Sequence, residues 1–111
     1  MDMYTAPKRE FLEYFHDHIL APRGLDYKIQ FAGPTGTNAV ECATKLARKV
    51  KGRENIFAFM GAFHGMTLGS LALTTDRCSR DGAGQILPNV THIPAPYMFP
   101  ELDTIAYMER L

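Results

Sequence analysis

This chain has no excess charge of either sign, few cysteines and no long apolar run. Its 111 residues include 12 lysines plus arginines and 12 aspartates plus glutamates, so the formal net charge is zero. A net basic footprint for nucleic acid is therefore absent. Its 2 cysteines, Cys42 and Cys78, stand far apart and form no CxxC pair. That spacing suggests neither a disulfide scaffold nor a zinc site, and both read as free thiols. His16 and His18 are two residues apart and point to different faces of a helix, so no metal site is expected. No stretch approaches the roughly 18 to 20 apolar residues of a membrane span. The first residues, MDMYTAPKREF, lack the apolar core of a signal peptide. These absences describe a soluble, cytoplasmic protein with neither nucleic acid nor membrane as partner.

What is present suits a globular chain: 46% hydrophobic and 11% aromatic residues. The length permits at most one ordinary domain. A first helix is predicted from about Thr5 to about Leu20, with Thr5 as cap, Pro7 in the first turn and an apolar stripe of Phe11, Leu12, Phe15 and Ile19. Pro22 and Gly24 end it. Tyr27 to Phe31 alternates apolar and polar residues and predicts a strand. A second helix is expected from about Thr37 to Lys51, with Val40, Ala43, Leu46, Ala47 and Val50 as its apolar positions. Glu41 stands four before Lys45, the spacing of a favourable surface pair. Asn55 to Phe59 predicts a strand, Met66 to Leu73 a short helix, and Asp76 to Pro88 a loop. Val90 to Ile93 predicts a third strand, and a helix begins at Leu102. Strand, helix, strand, helix, strand is the order of an α/β protein with a parallel sheet, whose ligands sit beyond the carboxyl ends of the strands.

Two turns are expected at such ends. In the first, Gly33-Pro34-Thr35-Gly36-Thr37-Asn38-Ala39 leads into a helix. Gly36 allows close approach of another group to the backbone, and Thr37 offers a hydroxyl and an N–H at a helix start, which suits a phosphate. An ordinary turn without ligand has the same signature. The segment is not a P-loop, because no lysine follows Gly36. Gly82-Ala83-Gly84 is not a dinucleotide fingerprint, because the third glycine is missing. In the second turn, Phe63 has a ring able to stack on a planar ligand, and His64 can exchange a proton near neutral pH. Together the two turns fit a ligand with a phosphate and an aromatic ring. Pyridoxal phosphate and flavin mononucleotide both qualify.

The stretch from about Lys8 to Pro94 resembles class III, pyridoxal-phosphate-dependent aminotransferases. The resemblance is carried by Gly33-Pro34-Thr35-Gly36-Thr37-Asn38-Ala39-Val40-Glu41, Lys45-Leu46-Ala47-Arg48, Gly52-Arg53 and Ala62-Phe63-His64-Gly65-Met66-Thr67-Leu68-Gly69. It implies a piece of the large domain of the aspartate-aminotransferase-like fold (fold type I). Residues 1–111 would then be an incomplete cofactor-binding portion, without the small domain and the half bearing the catalytic lysine. It further implies a homodimer. By motif position, Gly36 and Thr37 would bind the cofactor phosphate, and Phe63 would stack on the pyridine ring, where many members have tyrosine. His64 matches the histidine beside that aromatic. None of Lys8, Lys28, Lys45, Lys49 and Lys51 matches the family's cofactor-anchoring lysine, so no catalytic residue is assigned.

Pro22 to Lys28 and the Gly33 to Glu41 turn resemble the branch acting in ectoine biosynthesis. That branch moves an amino group from glutamate to aspartate 4-semialdehyde, giving 2,4-diaminobutyrate and 2-oxoglutarate. Three alternatives stand beside it: another class III ω-aminotransferase, a non-catalytic remnant, and a small flavin- or nucleotide-binding domain. The resemblance also implies that Tyr27 to Phe31 has no adjacent strand within these residues.

Overall fold

The computed structural model describes residues 4–111, in two compact units, one ending at Phe31 and the other running from Ala32 to Leu111. The amino-terminal unit is built on helix α1, Ala6–Phe15. Thr5 caps it by accepting a bond from the Lys8 backbone N–H at 3.4 Å, and Pro7 stands in its first turn. The helix widens to a π turn at His16–Leu20 and tightens to a 3₁₀ turn at Ala21–Arg23. Gly24, at φ 63°, ends it in the left-handed conformation that only glycine adopts without strain. Phe11 packs on Phe15 and Phe31, with ring centroids 5.8 and 5.9 Å apart.

The strand expected at Tyr27 to Phe31 does not form; those residues carry no regular structure. Alternation supplies a face, but a strand also needs a neighbour to take its backbone bonds. No such neighbour stands beside this segment among the described residues.

The second unit begins with helix α2, Gly36–Lys51, which ends at Gly52 with φ 61°. Strand β1, Ile56–Phe59, pairs in parallel with strand β2, Val90–Ile93, in the register Ile56 with Val90 through Phe59 with Ile93. Between them run helix α3, Leu68–Leu73, and the short helix α4, Arg77–Arg80. Helix α5, Thr104–Met108, follows, with the Asp103 carboxylate accepting from the N–H groups of Ile105 and Ala106. Strand, helix and parallel strand in this order is the expected α/β pattern.

The core is small. Ala58, Leu71, Ala72, Leu73, Ile93 and Ala95 are buried where α3 lies on the strand pair. The stretch from Asp76 to Pro88 is not all loop. Asp76 accepts from the Ser79 N–H at 2.8 Å and the Ser79 hydroxyl at 2.6 Å, and so starts α4. The acid-then-serine spacing is an N-cap signal that the glycines downstream obscured.

Helix α2 also differs from expectation. Ala43, Leu46, Ala47 and Val50 are exposed, and the side turned to α3 carries Thr37, Glu41 and Thr44. Glu41 does not close a surface ion pair with Lys45 among the described salt bridges; its carboxylate reaches across to α3. Polar groups on both helices can satisfy one another there, which periodicity on one helix does not reveal.

Candidate functional site

The two turns singled out in the sequence stand side by side. Thr35, Gly36, Thr37 and Val40 line one wall of an open cavity of about 510 Å³, and Phe63, His64, Gly65 and Met66 line the other. Gly36 and Thr37 are placed by the start of α2, and Phe63 and His64 by the turn after β1. All four residues expected to contact a cofactor therefore meet in one place. The first turn is not fed by a strand, because residues 27–31 form none.

The start of α2 is left open. Thr35 is the N-cap residue, yet its side chain makes no capping bond; its hydroxyl donates to Asn38 Oδ1 at 2.6 Å. The first-turn N–H groups of a helix without such a cap suit an anion. Gly36 adds a second sign. A Cβ built there would meet nothing within 4 Å, and its φ is not in the left-handed region. Glycine in a helix costs about 1 kcal/mol against alanine. Nothing among the described residues requires glycine there, and the open space leaves room for another group to approach the backbone.

Phe63 is 61% exposed on the opposite wall. The turn that carries it is tight: Gly61 and Gly65 have φ of 79° and 131°. His64 is half-buried. Its backbone N–H donates to the fully buried Thr74 hydroxyl at 2.9 Å, and that hydroxyl also lies 3.1 Å from the Gly65 and Ser70 carbonyls. The His64 Nε2 atom is buried, with no hydrogen-bond partner among the described residues. His92 Nε2 on β2 is likewise unpaired and does not line this cavity.

Behind the cavity lies a network absent from the sequence reading. Glu41 Oε1 accepts from the Thr67 hydroxyl at 2.5 Å and the Ser70 N–H at 3.0 Å. The Thr67 and Thr37 hydroxyls are 2.7 Å apart, and the Ser70 hydroxyl donates to the Thr37 carbonyl at 3.2 Å. The Glu41 carboxyl is held below its ordinary value, first by the Thr67 hydroxyl bond, with help from the Ser70 and Gly69 N–H groups and the Lys45 charge, against the opposing effect of burial. A depressed carboxyl contributes stability that is present above its unfolded pKa and lost as pH falls through the folded one. Urea midpoints measured down that acid range should therefore fall for the native sequence and fall less steeply for Glu41→Gln. Among the described residues no group of three or more potential ligands could hold a metal ion, and no helix is long and apolar enough to cross a membrane.

An α/β segment whose helix start and aromatic turn face one cavity has the layout of a phosphate-and-ring binding protein. The model of the aminotransferase class-III family matches residues 3–109, and the chain belongs to that family. It is 56% identical to the diaminobutyrate–2-oxoglutarate transaminase of Halalkalibacterium halodurans over 99% of this chain and 26% of that protein. It is 54% identical to the transaminase of the same name from Streptomyces coelicolor, over 100% and 26% respectively. In structure it is similar to a thermostable (S)-enantioselective omega-transaminase from Thermomicrobium roseum, with a TM-score of 0.55 and 32% identity, over 73% of this chain and 20% of that one. The fold is thus that of fold-type I, pyridoxal-phosphate-dependent enzymes. The chain spans about a quarter of the length of the curated relatives it matches.

Proposed function

We propose that this chain is the cofactor-binding piece of the large domain of a pyridoxal-phosphate-dependent transaminase. The reaction is transfer of the amino group of glutamate to aspartate 4-semialdehyde, giving L-2,4-diaminobutyrate and 2-oxoglutarate in ectoine biosynthesis. Identity above 50% to transaminases named for diaminobutyrate and 2-oxoglutarate supports the substrates. The full-length enzyme is read as a cytoplasmic homodimer. The observation that carries the cofactor is the unneeded glycine at an uncapped helix start, facing an exposed aromatic ring across one cavity.

When bound, pyridoxal phosphate supplies an electron-withdrawing ring that makes the proton next to an amine labile. The first-turn N–H groups of α2 would hold the phosphate, Gly36 would let it approach, and Thr37 would shape that turn. Phe63 would stack on the ring and shield it from water. His64 would stand beside the ring on the same wall. No lysine of this segment is assigned a part in proton transfer.

The test is a cofactor titration of the full-length enzyme followed by absorbance. Phe63→Ala should weaken pyridoxal phosphate binding by about tenfold, and Phe63→Tyr, which keeps the ring, should bind within about twofold of the native protein. Equal binding by the alanine variant would remove Phe63 from the site. A screen of aldehyde acceptors with glutamate as donor separates the diaminobutyrate reaction from that of other ω-transaminases.

A further inference from the structure

We propose that Glu41 is the positioning residue of the phosphate turn, acting through Thr67 on Thr37. This rests on the cofactor reading above and goes beyond it, since Glu41 does not line the cavity.

The argument starts from two helix starts that lack caps of their own. Thr67 is the N-cap residue of α3, yet its side chain makes no capping bond to its own helix. Glu41 does that work from the neighbouring helix, accepting the Ser70 N–H. The Thr67 hydroxyl is thereby free to donate its one proton to the same Glu41 oxygen. An ionised carboxylate only accepts, so the direction of that bond is settled. A hydroxyl has a single proton, so the proton shared by the two threonines is the one on Thr37. The hydroxyl relay runs one way, from Thr37 to Thr67 to Glu41. The ring is closed by the Ser70 hydroxyl on the Thr37 carbonyl.

Close packing leaves this ring little freedom. A Cβ on Gly65 would stand 2.6 Å from Thr37 Cβ, and one on Gly69 would stand 2.8 Å from the Glu41 carboxyl carbon. Two glycines are thus needed on the α3 side for Thr37 and Glu41 to reach their partners. The arrangement pins one residue of the α2 first turn, Thr37, to the segment that also carries Phe63 and His64. It sets the span between phosphate turn and aromatic turn.

A residue with this role should matter more for a ligand that has a phosphate than for one that lacks it. The experiment titrates the full-length apoenzyme with pyridoxal phosphate and, separately, with pyridoxal. Glu41→Ala should weaken pyridoxal phosphate binding by about tenfold or more while changing pyridoxal binding by less than about twofold. Glu41→Gln retains an acceptor oxygen for Thr67 and Ser70 and should recover most of the loss. Thr67→Val cuts the relay while leaving Glu41 on the Ser70 N–H, and should show the same phosphate-selective loss. It decides the matter if Glu41→Ala does not fold. Equal losses for both probes would mean a merely structural role and overturn the proposal, as would unchanged pyridoxal phosphate binding. A native enzyme that takes up neither probe would overturn the cofactor reading itself. Normal native uptake with unaffected variants overturns only the assignment of Glu41.

Discussion

Gly65→Ala is expected to disable cofactor uptake and to destabilise the protein by about 2 to 6 kcal/mol, the sum of backbone strain and overpacking. Gly65 sits at φ 131°, where a residue with a side chain is strained whatever its surroundings. Its surroundings add a second obstacle. The new Cβ would stand 2.6 Å from Thr37 Cβ and 3.0 Å from Ser70 Cβ, and closer still to the Thr37 hydroxyl. Neither Cβ is the far end of a flexible chain, so the turn and the first turn of α2 must move apart. That motion widens the cavity and breaks the bonds from Thr74 to Gly65 and from Thr37 to Thr67. Gly82→Ala is the matched control: φ is 75°, but nothing lies within 4 Å of the added carbon. It should cost only the conformational part, about 1 to 2 kcal/mol, and leave cofactor binding alone. Urea midpoints and pyridoxal phosphate titrations of the two full-length variants make the comparison. Equal effects at both sites would show that the contact with Thr37 is unimportant.

The second large effect concerns the 111 residues by themselves. The purified chain is expected to form no 2-oxoglutarate from glutamate, and to aggregate or bind apolar dyes. Among the described residues only two strands are paired, and a lone strand pair is marginal in water. Both outer edges of that pair offer unpaired backbone groups. Val50, Leu46, Phe57 and Phe59 are 68%, 54%, 47% and 45% exposed, so large apolar groups on α2 and on β1 face solvent. The buried core on the other side of the strands contains few large side chains. Light scattering, dye fluorescence and a coupled assay for 2-oxoglutarate measure the three outcomes. A soluble monomer with a cooperative melt, or measurable turnover, would contradict this expectation.

Local chemistry made much of the fold legible. Thr5 and Pro7 start α1, Gly24 and Gly52 end helices in the left-handed conformation, and β1 and β2 lie where strands were expected at Asn55 to Phe59 and Val90 to Ile93. Each of these depends on a residue and its near neighbours. The strand expected at Tyr27 to Phe31 failed because a strand is a property of two segments, and the pattern describes one. The α4 turn was missed because the Asp76 cap is one side chain's pair of bonds to Ser79 among residues that otherwise read as loop. The apolar positions of α2 were located correctly on the helix but assigned to the wrong surroundings: Leu46 and Val50 are exposed, and the polar side with Glu41 meets α3.

The sequence by itself singled out four candidate residues, Gly36, Thr37, Phe63 and His64, because each belongs to a short motif that is read locally. It also determined the family, through contiguous blocks that need no folding to be recognised. Only the tertiary structure decided that both motifs line one cavity, that Gly36 has no internal reason to be glycine, and that His64 Nε2 lacks a partner. Only the tertiary structure decided the place of Glu41, which the helix pattern had put on a surface with Lys45. Its partners Thr67 and Ser70 are distant in sequence, and hydrogen bonds between distant residues depend on the packing of α2 against α3 rather than on any spacing along the chain.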